Sequence, residues 1–140
     1  KTRILANNKV EFNHNPTILG LQFENLILAN RDVIHTLLDI DSRTIVANGP
    51  YFQRATKRIS GCQIDYLIQT KDNILYICEI KFSQQKFGCS VIAELQDKIT
   101  SLQIPRNFSY RPVLIHVNGV TKDLQESEFF SKILDLGMMW

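Results

Sequence analysis

Gly61-Cys62-Gln63-Ile64-Asp65-Tyr66-Leu67-Ile68-Gln69-Thr70-Lys71-Asp72-Asn73-Ile74-Leu75-Tyr76-Ile77-Cys78-Glu79-Ile80-Lys81-Phe82 is the stretch that decides the fold. Residues 62–70 and 74–82 are rich in Ile, Leu and Tyr, and Lys71-Asp72-Asn73 between them is a short polar loop of turn-forming residues. The pattern predicts a hairpin. With a three-residue loop the hairpin is centred on Asp72 and paired positions sum to 144. Asp65 then faces Glu79, and Gln63 faces Lys81. A slip of one residue would turn every side chain to the other face, so the pairing rests on the turn.

Side chains alternate along a strand. Asp65, Glu79 and Lys81 are therefore expected on one face with Gln63 and Leu67, and Ile64, Tyr66, Ile68, Tyr76, Cys78 and Ile80 on the other, facing a core. Opposed carboxylates on paired strands need a cation or a shared proton. Lys81 alone cannot neutralise two. A divalent ion with oxygen ligands can, and Mg²⁺ suits hard carboxylates. The alternative is a solvated strand face that happens to carry charge. The apolar same-face neighbours Leu67, Leu75 and Ile77 argue for a sheet covered on both sides and for embedded charges.

The 140 residues suffice for one domain with a real core. A net charge of +2 does not demand a polyanionic partner, although a local basic patch could still attract one. No apolar run approaches the roughly 20 residues that span a bilayer, and no signal peptide is visible. Cys62, Cys78 and Cys89 form an odd set without CxxC spacing; free thiols in a reducing cytoplasm are the expectation. His14, His35 and His116 are too scattered for a zinc site. Because the chain begins at Lys1, a fragment of a longer polypeptide is expected.

Residues 1–17 are polar and Asn-rich and read as a linker or arm, with Thr17 as a helix cap. Leu19, Phe23, Leu26, Ile27, Ile34, Leu37 and Leu38 recur at helical spacing, which predicts one helix over 18–38. Glu24 lies within its apolar stretch, either as a flank residue reaching solvent or as a third carboxylate. A strand is expected near 51–56 after a turn at Asn48-Gly49-Pro50. Arg54, Lys57 and Arg58 then form a basic edge ahead of Asp65, either an ordinary solvated loop or a phosphate-contacting one. Lys86 follows the second strand of the hairpin. Ser90 can cap a helix over 91–103 with Val91, Leu95, Ile99 and Leu102 as its buried stripe; Lys98 reads as a surface residue able to reach the site. A buried strand is expected over 111–119, with Pro112 at its start and His116 packed within it. A last strand over 128–136 and a helical end over 137–140 complete the chain.

The order helix, strand, strand, strand, helix, strand, with Asp65 fourteen residues before Glu79-Ile80-Lys81 and Glu24 on the upstream helix, resembles the PD-(D/E)XK superfamily of restriction-endonuclease-like nucleases. Ile64 replaces the proline of that motif. The stretches Gly20-Leu21-Gln22-Phe23-Glu24-Asn25-Leu26, Gly61 to Ile68 and Glu79 to Ser83 are similar to the nuclease-like C-terminal domain of archaeal-type prokaryotic ATPases. The resemblance covers residues 18–136. It implies an α/β fold, a restriction-endonuclease-like core with a mixed central sheet flanked by helices, and an upstream ATPase module, since no GxxxxGK[ST] occurs here. It further implies phosphodiester hydrolysis in nucleic acid, DNA first. Mg²⁺ or Mn²⁺ would be held by Asp65, Glu79, the Ile80 carbonyl and Glu24, directly or through water. Lys81 would be the catalytic cation, and Arg54, Lys57, Arg58 and Lys86 phosphate contacts. Cutting both strands of a duplex would call for a homodimer. The same implication leaves open an inactive domain that only binds nucleic acid or an ATPase partner.

Overall fold

A computed structural model describes residues 16–82, 86–117 and 119–138. Five strands form one mixed sheet in the order β1 (Ile45–Gln53), β2 (Cys62–Thr70), β3 (Ile74–Phe82), β4 (Ser109–Val117), β5 (Lys132–Asp135). β2 runs antiparallel to both β1 and β3; β4 joins β3, and β5 joins β4, in parallel. Helices α1 (Pro16–Ala29) and α2 (Arg31–Leu37) precede the sheet, α3 (Ser90–Ser101) crosses from β3 to β4, and α4 (Lys122–Glu126) from β4 to β5. This is the α/β, restriction-endonuclease-like arrangement expected, a mixed sheet flanked by helices.

Next to the loop the hairpin register is as the turn chemistry dictates, but the expected pairings of Asp65 with Glu79 and Gln63 with Lys81 are not part of the ladder. Tyr66 pairs with Cys78, Leu67 with Ile77, Ile68 with Tyr76 and Gln69 with Leu75. Asn73 takes a left-handed conformation (φ 62°), which Asn tolerates better than most residues, and its N–H donates to the Thr70 carbonyl at 3.2 Å.

Apolar clusters cover both faces. Phe23, Ile27 and Ile34 pack on Tyr66, Ile68, Cys78, Ile80, Val113 and Ile115. On the other face Val91, Leu95 and Leu124 pack on Ile64, Leu75, Ile77 and Leu114. Ile64 thus lies on the face opposite to the one alternation assigned. The cause is a register shift against β1: Gly49 pairs with Leu67, but Tyr51 pairs with Ile64, so β2 carries an extra residue in the Asp65–Tyr66 segment. Such a bulge re-aims side chains locally.

Other boundaries move for identifiable reasons. The single helix expected over 18–38 is two helices. The Asn30 side-chain amide donates to the Leu26 carbonyl at 2.9 Å, closing α1, while its own carbonyl accepts from Val33. Thr17 lies inside α1 rather than capping it, and the arm expected before it falls, apart from Pro16 and Thr17, outside the described residues. Asn48-Gly49-Pro50 is not a turn but part of β1, an edge strand that tolerates proline. Cys89, not Ser90, is the residue before α3. The last strand is only Lys132–Asp135, followed by a short 3₁₀ turn, Leu136–Met138; the preceding segment supplies α4, whose Thr121 hydroxyl accepts from the Leu124 N–H. Among the described residues no helix is long and apolar enough to cross a membrane.

Tyr66 shows how the first core tolerates polar atoms. Its hydroxyl bonds to His35 Nε2 and donates to Asn48 Oδ1 at 3.0 Å, which ties α2 and β1 to β2. Tyr66→Phe is expected to lower unfolding free energy by about 1–3 kcal/mol, since it leaves the buried imidazole nitrogen unpaired. Urea denaturation checks this.

Candidate active site

The ladder between β2 and β3 pairs residues as far as Tyr66 and Cys78. Beyond it, Asp65 Oδ2 accepts from the Ile80 backbone N–H at 2.9 Å. A side chain therefore takes a donor that a regular hairpin would give to main chain. The two strands part at this point, and Asp65 sits in the opening beside Glu79.

Glu79 is 2 % exposed. Its Oε1 accepts from Lys98 Nζ at 2.9 Å, and Lys81 Nζ lies 3.5 Å from Oε2. Lys81 is held from the other side by Glu94 Oε1 at 2.8 Å. The pairs alternate along α3: Glu94 and Lys98 are one turn apart and flank the buried Val91 and Leu95. Burial raises the Glu79 pKa, the charge of Asp65 raises it further, and Lys98 and Lys81 offset only part of this. Glu24 responds in the same way: burial raises its pKa, followed by the fields of Asp65 and Glu79, with the two lysines opposing. At Lys81 burial works against the charge, but the bond to Glu94 and the field of Glu79 outweigh it, and the pKa is raised.

Three carboxylates from α1, β2 and β3 and an ammonium from β3 thus share one electrostatic neighbourhood. Among the described residues, no three His, Cys, Asp or Glu side chains converge tightly enough to hold a metal ion by themselves. The donor set still fits a hard divalent ion. Mg²⁺ takes one or two carboxylates plus waters and substrate oxygens rather than an all-protein cage. Burial first, and the neighbouring carboxylates second, raise the pKa values of Glu24 and Glu79 against the two lysines.

Lys98 is not the surface residue its sequence position suggests, and Glu94 joins the cluster without a motif to single it out. Their signal was available, because 91, 94, 95, 98 and 102 follow the three- and four-residue spacing of the buried stripe. Lys98→Met is expected to destabilise the chain at pH 7 and much less at pH 5. It strips a partner from a buried carboxylate that low pH neutralises. Thermal unfolding at the two pH values checks this.

Arg54, Lys57 and Arg58 are exposed, and none has an ion-pair partner among the described residues. Their loop is nonetheless built. The Thr56 hydroxyl accepts from the Arg58 and Ile59 N–H groups at 3.2 and 3.1 Å. The buried Gln53 amide donates to the Ser60 and Ser101 carbonyls and accepts from the Gln103 N–H, fastening the loop base to the end of α3. The loop returns at Cys62, about 10 Å along the strand from Asp65. Lys86 is exposed and does not join the Glu79 cluster; it lies beside Gly119.

No protein-family model matches the chain, and no curated protein does. Among solved structures it is similar to the crystal structure of a repair endonuclease from Pyrococcus abyssi, with a TM-score of 0.50 and 18 % identity over 91 % of this chain. The match spans 49 % of that endonuclease, so the chain corresponds to about half its length. At this identity the likeness concerns the fold alone.

Proposed function

We propose that this chain is a nuclease-like domain that hydrolyses phosphodiester bonds in nucleic acid, DNA in the first instance, with Mg²⁺ or Mn²⁺. The observation that supports it most is that Asp65, bonded to the Ile80 N–H where β2 and β3 part, lies within the electrostatic reach of Glu79, which Lys81 faces, on a fold shared with a repair endonuclease. Asp65, Glu79, the Ile80 carbonyl and Glu24, directly or through water, are the groups that would hold the cation. When bound, the cation neutralises phosphate charge and lowers the pKa of an attached water. The chain's own residues do the rest. The Ile80 N–H fixes one Asp65 oxygen and so orients the carboxylate. Glu94 holds Lys81 charged and in place, where its ammonium can orient the attacking water or meet the charge developing on phosphate. Lys98 steadies Glu79. Arg54, Lys57, Arg58 and Lys86 would position the backbone of the polyanion.

The second reading is a catalytically inactive nuclease-fold domain that binds nucleic acid or an ATPase module in a longer polypeptide. One observation favours it: both Glu79 oxygens already face an ammonium group. A single experiment separates the two. Labelled single- and double-stranded DNA and RNA are incubated with the chain plus Mg²⁺, Mn²⁺ or EDTA. Cation-dependent cleavage selects the first; salt-sensitive binding without cleavage selects the second.

A further inference from the structure

The α3 side of the sheet carries a second surface, on the edge strand next to Asp65. Gly49 pairs with Leu67 and Tyr51 with Ile64, and both partners belong to the core beneath α3. Paired residues share a face, so Tyr51 points to the side on which Lys98 of α3 meets Glu79. Ile64 precedes Asp65, which places the tyrosine one strand across and one residue along from that carboxylate. Tyr51 is left open, 42 % exposed. Beside it lies an apolar hollow of about 260 Å³ whose walls include Ala47, Gly49, Pro50 and Leu67. Gly49 has φ +147°, a backbone that a side chain rarely adopts, and a Cβ built there would meet nothing within 4 Å, so this part of the wall stays bare main chain.

Two residues past Tyr51 the chain enters the basic loop, which is tied to the same side. Gln53 shares the parity of Tyr51 and is 8 % exposed. Its amide donates to the Ser101 carbonyl at 2.6 Å and the Ser60 carbonyl at 2.8 Å, and its oxygen accepts from the Gln103 N–H at 2.9 Å. The neck of the loop is closed: a Cβ on Gly61 would stand 3.2 Å from the Ala55 nitrogen and from the Gln53 carbonyl oxygen. A loop fastened in this way presents Arg54, Lys57 and Arg58, all exposed and, among the described residues, without ion-pair partners. Three uncompensated cations, an open aromatic ring and an apolar hollow thus adjoin on the face that holds the carboxylate cluster.

We infer that Tyr51 and the hollow beside it form a stacking surface for one base of a single-stranded nucleic acid whose phosphates run along Arg54, Lys57 and Arg58. The inference rests on the nucleic-acid reading of the Asp65 and Glu79 site and adds to it the form of the substrate, unpaired at a nucleotide close to that site. Charge complementarity selects the occupant. A single strand carries an anion at every link and a flat ring between links; the loop suits the first and Tyr51 the second. A duplex offers the same phosphates, but its base faces are stacked on one another and give the tyrosine nothing to cover. An abasic strand would use the loop and leave the ring idle. Stacking of this kind tolerates any sequence, since every base has a π-face.

The test is fluorescence anisotropy of the full chain in EDTA with labelled strands of equal length: oligothymidylate, its abasic counterpart and a duplex. The chain is expected to hold oligothymidylate about tenfold more tightly than the abasic strand, and more tightly than the duplex. Tyr51→Ala is expected to erase the preference over the abasic strand, and Tyr51→Trp to keep it. Phe52 is 68 % exposed but pairs with Gln63 and faces the other side of the sheet, so Phe52→Ala should leave the preference intact. Arg54→Ala, Lys57→Ala and Arg58→Ala combined should weaken both single strands alike and lower the slope of log affinity against log salt by about 2. Equal affinities for the thymidylate and abasic strands, tighter binding of the duplex, a preference that survives Tyr51→Ala, or one that Phe52→Ala also removes would each overturn the surface. The cleavage assay runs beside it. Salt-sensitive binding without base preference removes the stacking surface and spares the nucleic-acid reading. Binding of no strand removes both and leaves the surface to a protein partner. Base-dependent binding without cleavage keeps the surface and removes the hydrolysis.

Discussion

Asp65→Asn is expected to lower cation-dependent cleavage by about a thousandfold or more while the chain still folds. The substitution is nearly isosteric, and the amide oxygen can still accept from the Ile80 N–H, so the parting of β2 and β3 is kept. What is lost is one negative charge in the opening between the strands. Asp65→Ala should be equally inactive but less stable. It orphans an N–H on a residue only 4 % exposed, at a cost of about 1–3 kcal/mol. Circular dichroism and urea denaturation of both variants beside the wild type separate loss of charge from loss of structure. Cleavage at the wild-type rate by a folded Asp65→Asn chain would remove Asp65 from the chemistry.

Glu79→Gln should show the opposite relation between activity and stability. Cleavage is expected to fall to a similar extent. In the absence of divalent ions, stability at pH 7 is expected to rise, by about 0.5–2 kcal/mol. Burial and Asp65 raise the folded-state pKa of Glu79 above its ordinary value, so the folded chain takes up that proton more readily than the unfolded chain. The stabilisation is full below the ordinary carboxylate pKa and is lost as pH rises through the raised one. At neutral pH the ionised Glu79 therefore weakens the fold, and a neutral amide relieves the cost. Lys81 keeps Glu94, and Lys98 is exposed enough to turn to water. The same logic gives a flatter stability–pH profile for Glu79→Gln between pH 4.5 and 7. A thermal-melt series against pH checks both parts, and a steep loss of stability at pH 7 in Glu79→Gln would mean that the lysine pairs outweigh desolvation.

The hairpin was legible because its loop has one economical reading and register follows from it; Tyr66 opposite Cys78 needed nothing beyond the position of Asp72. The two-sided cover of the sheet was legible in Leu67, Leu75 and Ile77. The side of Ile64 was not, because a bulge depends on how β1 pairs, and β1 shows no alternation through Asn48-Gly49-Pro50. The break at Asn30 was hidden by an apolar pattern that continues through it, since the two helices cover the same core. Glu79 and Lys81 could be put on one face by strand parity; Asp65 could not, because the bulge falls in its own segment of β2. Glu94 and Lys98 required knowing which side of the sheet α3 covers, which is a property of the crossover between β3 and β4 rather than of any local pattern. His116 read as a packed strand residue, and it is one.

Anomalous diffraction from crystals saturated with Mn²⁺ tests the cation site most directly. The expected result is one strong peak in the opening between β2 and β3, about 2.1 Å from an oxygen of Asp65 and one of Glu79, with Lys98 displaced from Glu79. Crystals with no peak there, in which Lys98 and Lys81 still hold both oxygens of Glu79, would contradict it.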